Sequence, residues 1–197
     1  MNNRIPLVKA GVGESPAVQP SKNYFGMVMF LISEAFLFGS LFWTYYYLRA
    51  TTPVWPPAGV KPDLMLASIN TILLLSSSAV IWWAVRSIRQ GNQKALAASL
   101  MITMALGTIF LGITIFEWIQ APFRPWTHAY GSIFYTLTGF HALHVFCGIL
   151  LMAALLTRTL KGRFSATNFK AVEIGSLYWH FVDLIWILVF VTVFIVK

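Results

Sequence analysis

The chain has 197 residues, of which 58% are hydrophobic and only 10% charged, with a mean hydropathy of +0.72. A soluble domain of this size carries about 25% charged residues, so the composition excludes a water-soluble globular protein and indicates an integral membrane one. The formal net charge is +8. Its basic residues fall between apolar runs, which excludes a nucleic-acid-binding surface and reads instead as topology signals and lipid-headgroup contacts.

In chain order, residues 1–22 hold three prolines and two glycines and are expected to form a mobile tail. They show no pattern of basic n-region, apolar h-region and small-residue cleavage site, so no signal peptide is expected. Five apolar runs follow: Phe25–Leu48, Leu64–Val85, Ala95–Ile119, Ile133–Thr157 and Ile174–Val196. Each is long enough to cross about 30 Å of hydrocarbon at about 1.5 Å per helical residue. Asp63 can N-cap the second span, Gly91 and Gly162 sit where the second and fourth should stop, and Pro122 and Pro125 end the third. The chain is too short for a further globular domain and shows no tandem repeat. The expected fold is all-α, a bundle of five transmembrane helices formed by residues 23–197.

Charge alternates between the connections. Arg4, Lys9, Lys22, Arg86, Arg89, Lys94, Arg158, Lys161, Arg163 and Lys170 lie on one side; Arg49, Lys61, Arg124 and Lys197 lie on the other. The excess of basic residues puts the N-terminus in the cytoplasm or its equivalent and the C-terminus outside. Trp43, Tyr45, Tyr46, Tyr47 and Trp55 then fall near the outer interface, and Trp82 and Trp83 near the inner one. The single cysteine, Cys147, lies within an apolar run, so neither an internal disulfide nor a cysteine metal cage is available.

Ionisable groups inside spans are the functional candidates, because Arg, Lys or Asp at a helix centre costs at least about 2.5–3.5 kcal/mol on insertion. Glu34 and Asp183 each lie about 13 Å from the inner end of their spans, and His141 and His144 about 12 and 16 Å from the outer end of theirs. All approach the mid-plane and can meet if the first, fourth and fifth helices are neighbours. On the fifth span Glu173, Ser176, His180 and Asp183 follow i, i+3, i+7, i+10, one polar stripe that must face protein, headgroups or water. A metal on His141 and His144 needs further ligands from other helices. The two cannot be axial ligands of one haem, because such ligands approach from opposite faces, although one of them with His180 opposite could be. The plainer alternative is that the histidines hydrogen-bond to Glu34 or to backbone and fix helix packing. Glu34 likewise reads either as a structural carboxyl or as part of a proton relay.

Three motifs narrow the choice. "MFLISEAFLFGSLFWTYYYLR" at 29–49, "GFHALHVFCG" at 139–148 and "YWHFVDLIWILVF" at 178–190 together closely resemble subunit III of the haem–copper terminal oxidases, over residues 23–197. Longer members have seven spans; this chain resembles the short bacterial form lacking the first two, which in longer members form one wall of a lipid-filled cleft. The resemblance implies an accessory subunit with no cofactor or metal of its own, packed against the catalytic subunit I, which carries the haems and copper that reduce oxygen to water. It would protect the complex against turnover inactivation and help keep proton uptake fast. It also implies that Glu34 is the family's membrane-embedded carboxylate, that His141 and His144 are its H-x-x-H pair, and that His180 and Asp183 are its W-H-F-x-D pair. Arg158, Lys161 and Arg163 correspond to a phospholipid-binding loop, with Glu173 beside it; their alternative reading is simply as positive-inside residues. Other oxidase subunits and membrane phospholipids are the expected partners, and a bacterial plasma membrane the expected location. A quinol oxidase or a nitric oxide reductase partner is the rival within this group. A stand-alone transporter, proton channel or membrane cytochrome are rivals outside it.

Overall fold

The structure is a computed structural model that describes residues 22–60 and 63–196. It has five long helices: α1 (Lys22–Thr51), α2 (Leu64–Arg89), α3 (Gln93–Gln120), α4 (Ala129–Leu160) and α5 (Lys170–Phe190), the last continued by a π-helical turn, Val191–Ile195. All five are long and apolar enough to span a membrane. Among the described residues there is no β-strand, only an isolated bridge between Ser165 and Asn168 in the α4–α5 loop. The N-terminal tail lies outside the described residues except for Lys22, which opens α1. Lys61 and Lys197, counted above on the less basic side, also lie outside them.

The helix ends follow local chemistry. Asp63 accepts from the backbone N–H of Met65 and Leu66 at the start of α2, Asn92 from Ala95 on α3, and the His128 ring from Gly131 on α4. That His128 cap starts α4 four residues before the apolar run does. Gly91 and Gly162 take φ of +77° and +64° just past α2 and α4, the left-handed conformation that ends a helix and that glycine adopts without strain.

Helices α2 to α5 form a closed ring of neighbours, with α2 on α3, α3 on α4, α4 on α5 and α5 back on α2. Helix α1 stands outside this ring, against α4 and α5. In the span Lys170–Ile195, α5 with its π-helical turn, 56% of the most apolar stretch is buried, against 11% for α1. Helix α5 is therefore the core of the bundle and α1 its flank. The buried residues of α1 are Leu31, Phe38 and Tyr45, spaced by seven, and they trace one narrow seam on the neighbouring helices. Its opposite face, with Phe36 and Trp43, is exposed.

Trp179 of α5 organises the ring. Its Nε1–H donates to Ser77 Oγ of α2 at 2.9 Å. Its indole lies over Gly107 of α3 and Gly148 of α4, where an added Cβ would come within 2.9 and 2.8 Å of the ring. Two glycines thus open a slot, and a single side chain ties α5 to three helices. Seven residues on, Trp186 packs against His141 and Phe110 and donates to Thr71 of α2 at 3.0 Å.

Candidate functional site

Glu34 enters the site from the buried seam of α1, between Leu31 and Phe38. His144 meets it from α4, with Nε2 2.8 Å from Glu34 Oε2. The other ring nitrogen of His144, Nδ1, lies 2.7 Å from the Phe140 carbonyl. A carbonyl only accepts, so Nδ1 carries a proton and donates it there. One further proton then lies on the line between Nε2 and Oε2, giving either an imidazolium–carboxylate pair or a neutral imidazole–carboxylic acid pair. Both have zero net charge, which is the form in which such groups are tolerated among acyl chains.

Aromatic groups hold the pair in place. Phe38 packs edge-on to the His144 ring at 5.0 Å. Tyr178 of α5 donates its hydroxyl to the His144 carbonyl at 3.0 Å, and its ring stacks on Phe30. The Glu34 and His144 side chains are 15% and 12% exposed, so the site opens slightly onto the flank between α1 and α4.

His141 does not share this site. It is fully buried inside the ring of helices, between Phe110 and Trp186, and neither of its nitrogens has a hydrogen-bond partner among the described residues. The H-x-x-H pair is thereby split: His144 turns outward to α1 and His141 inward to α3 and α5. Both nitrogens of His144 are already engaged, which leaves neither to a metal.

The polar stripe of α5 faces α2 and zips the two antiparallel helices together. Glu173 accepts from Arg89 at 2.7 Å, His180 Nδ1 lies 2.6 Å from Ser78 Oγ, and Trp179 and Trp186 reach Ser77 and Thr71. Asp183 is buried, with the Ser78 hydroxyl beside its carboxylate. The structure thus brings both His180 and Asp183 to Ser78 of α2. In the α4–α5 loop, the Arg158 guanidinium lies over the Phe164 ring at 5.3 Å. Lys161 caps α4, and the Arg163 backbone N–H bonds to the Arg158 carbonyl. All three side chains are exposed at the end of the bundle that also carries Arg86 and Arg89.

Sequence reasoning missed Glu117, buried on α3 near its C-terminal end. The signal was available, since a carboxylate inside the third apolar run is as unfavourable as Glu34 in the first. It also missed the buried Asn70–Thr114 hydrogen bond between α2 and α3. No pattern in either helix alone marks that contact.

Comparison with known proteins decides the family. The family described as cytochrome c oxidase subunit III matches residues 12–197. The chain belongs to the cytochrome c oxidase subunit III family. Its relatives include cytochrome c oxidase subunit 3 of Thermostichus vulcanus, 38% identical over 177 residues, which cover 89% of this chain and 88% of that one. The protein of the same name from Synechocystis sp. is 39% identical over 178 residues, 89% and 76% of the two chains. That from Papio hamadryas is 40% identical over 184 residues, 90% and 70%. The Papio protein thus has a larger unmatched part than the Thermostichus one. As a subunit III chain, this protein has five membrane-crossing helices, and among the described residues no group of three or more His, Cys, Asp or Glu is clustered.

Proposed function

We propose that the chain is the accessory, non-redox subunit of a proton-translocating cytochrome c oxidase in a bacterial plasma membrane. In that role it packs against the catalytic subunit, which supplies the haem and copper chemistry, stabilises it during turnover and supports proton uptake. The match to the cytochrome c oxidase subunit III family over residues 12–197 carries this reading. The names of the relatives favour cytochrome c oxidase over a quinol oxidase or a nitric oxide reductase.

Within this role, the Glu34–His144 pair acts as a one-proton element on the flank between α1 and α4. Its support is the 2.8 Å contact and the fixed Nδ1 proton, which leave a single proton able to move between carboxylate and imidazole. The end of the bundle bearing Arg86, Arg89, Arg158, Lys161 and Arg163 faces the cytoplasm, where those side chains meet phospholipid headgroups. Isolation of the tagged chain from membranes tests the main reading. It should bring down a haem-bearing subunit in fixed stoichiometry, and recovery only as a free homo-oligomer would overturn it.

A further inference from the structure

A cavity of about 220 Å³ opens where α2 begins and α3 ends, lined among others by Asp63, Glu117, Gln120, Pro122 and Phe123. Glu117 is only 7% exposed, and its Oε1 is buried with no hydrogen-bond partner among the described residues. Asp63 uses Oδ1 to cap α2 through Met65 and Leu66, and its second oxygen makes no hydrogen bond among the described residues. No Lys or Arg lines the cavity among the described residues. Arg124, the basic residue nearest Glu117 in sequence, donates its guanidinium to the Trp118 carbonyl instead, and Lys61, two residues before Asp63, lies outside the described residues.

Two carboxylates on one cavity, one of them buried and unpartnered, form an arrangement that is relieved by a cation between them or by a shared proton. The donors fit a hard ion. They are oxygens only: the two carboxylates and the Gln120 amide, at the C-terminal end of α3, where the helix dipole also favours a cation. Side-chain ligands alone are too few for a transition-metal site, whereas calcium completes a shell of about 6–8 oxygens with backbone and water and tolerates irregular geometry. The cavity has room for an ion with several waters. We propose that Asp63 and Glu117 bind a hydrated divalent cation of the calcium type at this end of the bundle, between the start of α2 and the end of α3.

The test is equilibrium binding of radioactive calcium to the purified, chelator-treated oxidase complex containing this chain, with wild type, Glu117→Gln and Asp63→Asn compared. Glutamine keeps the shape of Glu117, and asparagine still caps α2, so each change removes charge with little else. The expected result is one calcium per copy of this chain bound by wild type, lost in Glu117→Gln and at least tenfold weaker in Asp63→Asn. Calcium should also raise the melting temperature of wild type and leave that of Glu117→Gln unmoved. Equal calcium binding by all three, which would place the ion elsewhere in the complex, would overturn the proposal. Absence of binding to wild type would do the same. If Glu117→Gln fails to assemble, Asp63→Asn alone decides, because asparagine keeps the α2 cap and co-purification of the variant chain in wild-type stoichiometry reports an intact complex.

Discussion

Glu34 Oε2 lies 2.8 Å from His144 Nε2, while His144 Nδ1 is committed to the Phe140 carbonyl. The pair is therefore an interaction of one proton between two helices that share few other contacts. Helix α1 has only three buried residues, so this hydrogen bond carries an unusual share of what fixes its register on α4.

Replacing Glu34 by Ala should remove the partner of His144 Nε2 and cost about 1–3 kcal/mol. Glu34→Gln should cost less, because its amide N–H can donate to the unprotonated Nε2 of a neutral imidazole. Thermal dissociation of this chain from the purified complex measures both. Equal losses would show that carboxylate charge, and not hydrogen-bond geometry, holds the pair.

Gly148→Ala would place a Cβ 2.8 Å from Trp179 Cζ3 and 3.2 Å from Tyr178 Cε1. These rings are held on several sides, so the expected cost is about 1–3 kcal/mol, with a changed tryptophan fluorescence as Trp179 leaves its slot. Gly112→Ala has open space around the new methyl and should be neutral or stabilising by up to about 1 kcal/mol. A tolerated Gly148→Ala with unaltered fluorescence would contradict the slot.

Trp186→Phe keeps most of the ring packing and removes the Nε1–H donated to Thr71. Thr71 retains its bond to the Ala67 carbonyl, so no buried group is stranded and the loss should be about 0.5–1.5 kcal/mol. His141, which packs on the same indole, should be far more sensitive to Trp186→Ala, at about 3–5 kcal/mol. Melting of the complex distinguishes the two.

The Arg89–Glu173 pair is short but wet, its side chains 61% and 33% exposed. A double-mutant cycle should give a coupling below about 1 kcal/mol that shrinks further in high salt. A coupling of several kcal/mol, insensitive to salt, would mean that another part of the complex covers this end of α2.

Much of the site was legible before the structure. Glu34, His144, His180 and Asp183 stand out because an ionisable group amid acyl chains is costly wherever its helix packs. The stripe at 173, 176, 180 and 183 was legible because helical periodicity alone puts those residues on one face. Glu117 escaped because it sits close to the Pro122 boundary, where a carboxylate can be taken for an interfacial one. The glycine slot under Trp179 was invisible, since a glycine inside an apolar run has the same local pattern whether lipid or an indole lies over it.

By itself, the sequence determined that this chain makes five membrane-crossing helices, where they begin and end to within about a turn, and most of the side chains that need partners. Those properties depend on transfer from water to hydrocarbon and on capping, which are local. Only the tertiary structure decided which partner each group takes. His144 and His141 are three residues apart, about 300° around the helix, so a modest rotation of α4 exchanges which of them meets Glu34. That rotation is set by packing, above all by Trp179 seated on Gly107 and Gly148, and no pattern within α4 records it.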